Sequence, residues 1–322
     1  MIEITDKNIK TWSTIGSRPT FGIALTELSK YYDELIVVTA DVSSSAGLDR
    51  YRKLYPDKFL DVGIAEQNMI GIAAGLADNG FNVYTTTFAP FQTLRCCEQI
   101  KVNLAYSNIN VKMVGLASGL INGPLGNTHC CIEDIGALRS IPNLVILSPA
   151  DGLGIVKSII ATMHSNTPTY IRLTGGANNP TVYDSDFDYK IGKAVELISG
   201  KDLTIFATGS MVHNSLIAAK ILFERGVYAS VWDMHTIKPI DEDAIFNAIH
   251  KNRFLVTVEE HNIIGGLASA VAECSSRYNV VCSQLSLGIK DVFLEPGDYQ
   301  FMQHQCGLTA LQIADSILKF LK

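Results

Sequence analysis

Short apolar runs alternate along the first half of the chain with longer segments whose apolar positions recur at helical spacing. An apolar run of four to eight residues, bounded by turn-forming residues, is typical of a strand buried within a parallel sheet. The predicted strands span residues 34–41, 81–88, 111–118, 144–151 and 168–174. The predicted helices between them span residues 19–30, 66–78, 93–106, 133–141 and 152–164. This alternation predicts a doubly wound α/β domain with a mostly parallel sheet.

A break in composition follows at residues 175–190, which read GGANNPTVYDSDFDYK and are rich in Gly, Asn, Asp and Pro. Such a stretch is typical of an inter-domain linker. The pattern then restarts, with predicted strands at 202–210, 228–235, 253–260 and 280–288, and predicted helices at 211–225, 241–250, 265–276 and 309–322. We therefore expect two α/β domains, at residues 1–180 and 190–322, of which the second is smaller.

The composition agrees with this picture and excludes several classes of protein. The chain has 322 residues, of which 47% are hydrophobic and 18% charged, as in a globular protein of two domains. The net charge of −6 is spread over interspersed acidic and basic residues, which argues against binding to nucleic acid or to a membrane surface. The N-terminus lacks the apolar core of a secretory signal, so we expect a cytoplasmic protein.

Cysteine spacing and short motifs exclude further chemistry. The seven cysteines form no C-x-x-C pair, so we expect reduced thiols and no metal site in this chain. The sequence contains no P-loop, no G-x-G-x-x-G at the start of a helix, no G-x-S-x-G and no H-E-x-x-H. Periodicity and composition alone therefore predict a two-domain α/β protein without indicating its reaction.

A longer motif does indicate a reaction. Residues 61–77 read DVGIAEQNMIGIAAGLA and resemble the pyrimidine-binding segment of thiamine-diphosphate enzymes of the transketolase family. Further motifs follow in the family's order: RPTFGIALTEL, ADVSSSAGL, TTFAPF, THCCIEDIGALRSIPNLVILSPAD, DMHTIKPID and EEHNIIGGLASAVAE. The resemblance covers the pyrimidine-binding and C-terminal domains of the family. The domain that holds Mg²⁺ and the cofactor diphosphate has no counterpart here, so the chain resembles the C-terminal subunit of a split transketolase.

The resemblance gives Glu66 a catalytic and cofactor-binding role. In the family, a glutamate at this position hydrogen-bonds to the N1′ nitrogen of the aminopyrimidine ring, and so helps the cofactor to remove a proton from its own thiazolium ring. The apolar neighbours Ile64, Ala65, Met69 and Ile70 are expected to desolvate this acid, with Ile64 also contacting the cofactor. The cofactor implied is thiamine diphosphate, with Mg²⁺ held mainly by a partner subunit.

The other site residues also follow from the resemblance. Phe88 and Phe91 match aromatic residues that pack on the aminopyrimidine ring. His129 matches a catalytic histidine that donates to an oxygen of the substrate as charge develops there. Arg18 and Ser45 match positions that bind the terminal phosphate, or another polar end, of the substrate. No metal ligand is expected among these residues.

Three positions depart from the pattern of transketolases that act on pentose phosphates. Leu125 replaces an aspartate that bonds a sugar hydroxyl, Ala117 aligns with a histidine, and Gly175 aligns with a phosphate-binding arginine. Loss of hydrogen-bonding groups changes which substrate a site prefers. We therefore expect a specialised substrate, such as a deoxy sugar or a nucleotide-linked sugar.

The expected reaction is transfer of a two-carbon ketol unit from a ketose donor to an aldehyde or ketone acceptor. Since the family's cofactor site lies where domains meet, we expect an N-terminal partner subunit and a homodimer of this chain within an α₂β₂ assembly. Pyruvate-using relatives remain an alternative, either a 1-deoxyxylulose-phosphate synthase-like enzyme or a 2-oxoacid dehydrogenase beta subunit. An alternative of another class is a non-catalytic subunit that stabilises its partner.

Overall fold

A computed structural model describes residues 2–322, which form two sheets flanked by helices. Its strands are β1 (Leu35–Thr39), β2 (Phe59–Asp61), β3 (Asn82–Phe88), β4 (Val111–Leu116), β5 (Val145–Leu147), β6 (Thr169–Arg172), β7 (Val195–Ile198), β8 (Leu203–Ala207), β9 (Ala229–Asp233), β10 (Thr236–Lys238), β11 (Phe254–Asn262) and β12 (Ser283–Ile289). Its helices are α1 (Asp6–Ile15), α2 (Ser17–Leu28), α3 (Asp49–Leu54), α4 (Glu66–Asp78), α5 (Ala89–Gln92), α6 (Cys97–Gln99), α7 (Asp134–Arg139), α8 (Gly152–Met163), α9 (Met211–Glu224), α10 (Glu242–Lys251), α11 (Leu267–Ser275), α12 (Tyr299–Gln305) and α13 (Ala310–Phe320).

The two sheets confirm the predicted two-domain α/β architecture. The first has the strand order β10-β5-β6-β4-β3-β1-β2, and its neighbouring strands are parallel except for β10 beside β5. The second has the order β12-β11-β8-β9-β7, with only β7 antiparallel to its neighbour within the described residues. All nine strands predicted from apolar runs are present, because residues buried on both faces of a parallel sheet must be apolar almost throughout.

The pattern missed the short and half-exposed elements. β2 has three residues, none of them fully buried, so it carries no apolar run. α1 buries only Ile9 and Trp12 and begins where the Thr5 side chain accepts a hydrogen bond from the Asn8 amide, at 3.2 Å. The edge strand β7 was missed for the same reason, because none of its residues is fully buried. β10 is largely buried but has only three residues, too few for an apolar run.

The helix predicted at residues 93–106 begins only at Cys97, where α6 continues without a break into a π-helical segment at Ile100–Tyr106. Residues 93–96 are not helical and separate this helix from the single turn α5. Thr93 has φ −109° and ψ −74°, and the Arg95 amide donates to the Pro90 carbonyl five residues back, at 3.2 Å. Wide turns of this kind occur often at functional sites. Here the turn places Arg95 beside the start of α4.

The two domains are joined by more than the linker. β10 follows the second domain's β9 but pairs with β5 of the first sheet, with Thr236 opposite Leu147. The predicted linker has irregular backbone, yet Tyr183 within it is buried and its hydroxyl donates to Asp233 at 2.7 Å. The Tyr183 backbone amide also donates to Asp151, at 2.9 Å. The connection is therefore anchored to both domains.

No helix formed by residues 2–322 is both long and apolar enough to cross a membrane.

Candidate active site

Glu66 is the first residue of α4, in the loop region that follows the carboxyl end of β2, and only 5% of it is exposed. A helix N-terminus stabilises a negative charge, which is one reason that a carboxylate is tolerated there. Met69 and Ile70 are fully buried on the same helix and contribute to the apolar surroundings that the sequence predicts. Ile64, however, is 78% exposed, so in the chain by itself this side chain does not desolvate Glu66.

The carboxylate of Glu66 has a partner that the sequence analysis missed. Arg95 Nη1 lies 2.6 Å from Glu66 Oε1, and the guanidinium carbon of Arg95 lies 4.1 Å from the centre of the Phe91 ring. The Arg95 side chain remains 43% exposed. In the sequence, only the spacing of four residues between Phe91 and Arg95 could have indicated their contact. That spacing predicts a contact within a helix, and this segment is not a regular helix.

Phe88, Phe91 and His129 form one aromatic cluster, although His129 is far from the others in the sequence. The centre of the His129 ring lies 5.4 Å from that of Phe91 and 6.2 Å from that of Phe88, in edge-to-face arrangements. The two Phe rings are 6.4 Å apart. All three side chains are half-buried, which leaves part of the cluster open to a ligand. The structure thus brings together four of the predicted site residues, because Arg95 links this cluster to Glu66.

The loop that carries His129 is held from both sides. His129 follows a short 3₁₀ segment at Gly123–Thr128, and Thr128 Oγ1 lies 3.0 Å from His129 Nδ1. Asn127 exchanges two hydrogen bonds with the backbone of Leu294 in the second domain, at 2.9 and 3.2 Å. The second domain therefore helps to position the histidine of the first.

A buried carboxylate strengthens this connection between domains. Glu260, on β11, accepts hydrogen bonds from the Leu120 amide at 2.7 Å, the Ser210 hydroxyl at 2.6 Å and the Tyr299 hydroxyl at 2.5 Å. These donors belong to the loop after β4, the start of α9 and the start of α12. Because buried charges are stable only when hydrogen-bonded, this residue fixes the loop on which His129 depends.

A second buried network lies behind the same loop. Asp134, at the start of α7, accepts from Arg172 Nε at 2.8 Å and from the Tyr170 hydroxyl at 2.7 Å. Arg172 Nη2 donates to the Glu260 carbonyl at 2.8 Å. Burial lowers the pKa of His261 to about 4, so this ring is neutral at pH 7, and its Nε2 accepts from the Gly136 amide at 3.2 Å. His261 is thus a hydrogen-bonded core residue.

Arg18 and Ser45 line one surface pocket, together with Ser17, Ser44, Gly47 and Ala177. Arg18 belongs to α2 and Ser45 to the loop after β1, so the pocket opens at the carboxyl end of a sheet strand. An arginine and several hydroxyl groups suit an anionic or polar ligand. None of these lining residues belongs to the cluster around Glu66 and His129.

The three positions that depart from the family pattern offer no side-chain hydrogen bond. Leu125 is 57% exposed and precedes His129 in the same loop, whereas Ala117 is buried. Gly175 has φ +74°, and a Cβ there would lie 2.3 Å from Asn179 Oδ1. This backbone therefore has no room for an arginine at position 175.

Within residues 2–322, no group of three or more His, Cys, Asp or Glu side chains is placed to hold a metal ion.

Comparison with protein families finds two matches, one in each half of the chain. Residues 13–179 match the transketolase pyrimidine binding domain, and residues 192–313 match the transketolase C-terminal domain.

Similar proteins extend over nearly the full chain. A putative transketolase C-terminal section from Methanocaldococcus jannaschii is 39% identical over 95% of this chain and 96% of its own length. A 6-deoxy-6-sulfo-D-fructose transketolase subunit from a Clostridium species is 37% identical, over 92% and 91%. An apulose-4-phosphate transketolase subunit from Phocaeicola vulgatus is 38% identical, over 96% and 98%. A 1-deoxy-D-xylulose-5-phosphate synthase from Caldanaerobacter subterraneus also matches at 33% identity, but over only 48% of its own length.

Among solved structures, a split gene transketolase described as an inactive β4 tetramer superimposes with a TM-score of 0.85. It is 35% identical, and the match covers 95% of this chain and 97% of that one.

Proposed function

The chain belongs to the transketolase family, and from this premise we propose that it is the C-terminal subunit of a split, thiamine-diphosphate-dependent enzyme that transfers ketol units. The observation that carries the proposal is the buried carboxylate of Glu66 beside the half-open cluster of Phe88, Phe91 and His129. A binding module has no need of a buried acid, paired only with a half-exposed arginine, next to an open aromatic face.

The residues present fit an aminopyrimidine ring. A planar nitrogen-bearing group already lies between Glu66 and Phe91, since the Arg95 guanidinium bonds the carboxylate at 2.6 Å and stacks at 4.1 Å on the ring. A flat heterocycle with an N–H in its plane meets the same two requirements. When bound, thiamine diphosphate supplies a thiazolium carbon that becomes nucleophilic on losing its proton.

Glu66 would bind the N–H of the pyrimidine ring and hold the proton at that nitrogen. Phe88 and Phe91 would pack on the ring and exclude water from it. His129 would act on the substrate. Its Nδ1 lies 3.0 Å from Thr128 Oγ1, and in the tautomer that accepts a hydrogen bond at Nδ1, Nε2 carries the hydrogen and can donate to a substrate oxygen.

The proposed substrate is a specialised sugar. Arg18 and Ser45 share a pocket suited to a phosphate or other polar group, while Leu125, Ala117 and Gly175 lack the hydrogen-bonding groups that favour ordinary pentose phosphates. The relatives named for 6-deoxy-6-sulfo-D-fructose and apulose-4-phosphate support this choice.

The proposed assembly pairs this chain with an N-terminal subunit that holds Mg²⁺ and the cofactor diphosphate, and pairs it with itself, as α₂β₂. The proposed compartment is the cytoplasm, where the seven cysteines, which are free thiols in the structure, would stay reduced.

The test is reconstitution with the N-terminal subunit, followed by steady-state assay of ketol transfer. Glu66→Gln is expected to lower kcat by at least about 10²-fold, the usual contribution of a positioned acid–base group. Glu242→Gln is the matched control, because Glu242 also pairs with an arginine at 2.6 Å but lies on the surface.

Three results would contradict parts of the proposal. Unchanged activity in the Glu66→Gln complex would favour a non-catalytic subunit. Release of CO₂ from pyruvate by the wild-type complex would favour the pyruvate-using alternatives. Turnover of xylulose 5-phosphate and ribose 5-phosphate at ordinary transketolase efficiency would refute the specialised substrate.

A further inference from the structure

Arg95 contacts both residues that the proposed function assigns to the pyrimidine ring. Its Nη1 lies 2.6 Å from Glu66 Oε1, and its guanidinium carbon lies 4.1 Å from the centre of the Phe91 ring. One planar side chain thus makes the carboxylate contact and the stacking contact at the same time.

The backbone of Arg95 is fixed while its side chain is not. The Gln67 side chain, next to Glu66 on α4, donates to the Arg95 carbonyl at 3.0 Å, and the Arg95 amide donates to the Pro90 carbonyl at 3.2 Å. The Arg95 side chain is 43% exposed and has solvent on one side. It can therefore leave Glu66 by rotation about its own side-chain bonds, with no change in the main chain.

Guanidinium and aminopyrimidine groups place similar demands on their surroundings. Both are flat and leave their faces free to stack on an aromatic ring. The guanidinium donates its own N–H groups to a carboxylate, whereas the ring nitrogen would share with Glu66 one proton that the carboxylate takes up when Arg95 leaves. At Glu66 and Phe91 they therefore compete for one place.

The contact between Arg95 and Glu66 stabilises the cofactor-free chain. A carboxylate that is 5% exposed and unpaired would be strongly unfavourable, and Arg95 supplies the missing positive charge. The same contact must be broken before the ring docks, so it lowers the apparent affinity for the cofactor.

We propose, on the basis of the proposed function, that Arg95 holds the place of the pyrimidine ring in the cofactor-free subunit and is displaced from Glu66 when the cofactor binds. Until then this positioning residue occupies the place of the ring on Phe91 and pairs with the charge of Glu66.

The test uses the complex reconstituted with its N-terminal subunit. Cofactor affinity is measured by calorimetry with thiamine diphosphate and Mg²⁺, and thermal unfolding is followed with and without them. Arg95→Met, which keeps length but removes charge and planarity, is expected to bind thiamine diphosphate about tenfold more tightly. It is also expected to lower the Tm of the cofactor-free complex, and to lose that deficit when the cofactor is bound.

Arg225→Met is the matched control, because Arg225 pairs with Asp315 at the same 2.6 Å and is 42% exposed. It should leave cofactor affinity unchanged and shift Tm equally in both states. Unchanged or weaker cofactor binding by Arg95→Met, or an equal Tm deficit in both states, would mean that Arg95 stays on Glu66 and would overturn the proposal. Failure of the wild-type complex to bind thiamine diphosphate would instead overturn the proposed function, and this inference with it.

Discussion

The buried ion pair between Arg172 and Asp134 allows a prediction of stability that does not depend on the proposed function. The two side chains are 1% and 0% exposed, and Arg172 Nε lies 2.8 Å from Asp134 Oδ2. In Arg172→Met the carboxylate of Asp134 keeps only the Tyr170 hydroxyl, at 2.7 Å, as a close donor among the side-chain hydrogen bonds of the described residues.

Removing one partner of a buried pair leaves an uncompensated charge, which costs about 3–5 kcal/mol. The bond from Arg172 to the Glu260 carbonyl, at 2.8 Å, is lost as well, so the upper part of that range is expected. For a domain of this size each kcal/mol lowers Tm by about 2–4 °C, so a loss of about 4–5 kcal/mol predicts a fall of roughly 8–20 °C.

The assay is thermal and denaturant unfolding of Arg172→Met, Asp134→Asn and the double variant. Because the double variant contains neither charge, its loss of stability should be smaller than the sum of the two single losses by about 1–3 kcal/mol. Arg277→Met, which breaks the exposed pair with Glu242, is the control and should cost less than about 1 kcal/mol.

Two results would refute this reasoning. A loss below about 1 kcal/mol in Arg172→Met would mean that water or a rearranged side chain compensates Asp134. Strictly additive losses in the double variant would mean that the two charges do not stabilise each other.

Two further predictions concern the contacts between the domains. Gly119→Ala places a Cβ 2.3 Å from Glu260 Oε1 at φ +74°, and should lower the free energy of unfolding by about 2–4 kcal/mol. Gly226→Ala, at φ +81° with open space around it, should lose only the backbone strain of about 1–2 kcal/mol. Similar unfolding midpoints for the two variants would contradict this prediction. Burial, together with the nearby Asp151, raises the pKa of Asp233 from 3.8 to about 8. The folded chain therefore keeps a proton that the unfolded chain releases, and this contribution to stability is complete below about pH 4 and is lost as the pH rises through 8. Asp233→Asn should flatten the fall in Tm between about pH 5 and pH 9, and an unchanged slope would show that Asp233 is not its source.

The sequence by itself determined the class of fold, and it predicted the residues of the candidate site. Apolar runs of strand length predicted every central strand, because strands buried on both sheet faces are mostly apolar, although β3 and β4 also bury Thr85–Thr87 and Lys112. α4 begins at Glu66 and ends at Asp78, as predicted, because the acidic first turn and the Asn-Gly that follows are local signals. The family resemblance likewise pointed to Phe88, Phe91 and His129 through separate motifs, and the folded chain brings these residues to one region.

Only the tertiary structure decided which charged side chains pair and which strands lie side by side. Arg95 pairs with Glu66 because a wide turn replaces the first turn of the predicted helix. Arg172 pairs with Asp134 because the end of β6 lies beside the start of α7. β10 belongs to the first sheet although it follows the strands of the second. These contacts join residues that are distant in the sequence, and their partners are selected by packing and by the need to pair every buried charge. Local periodicity reports how each segment is buried and carries no information about which distant segment covers it.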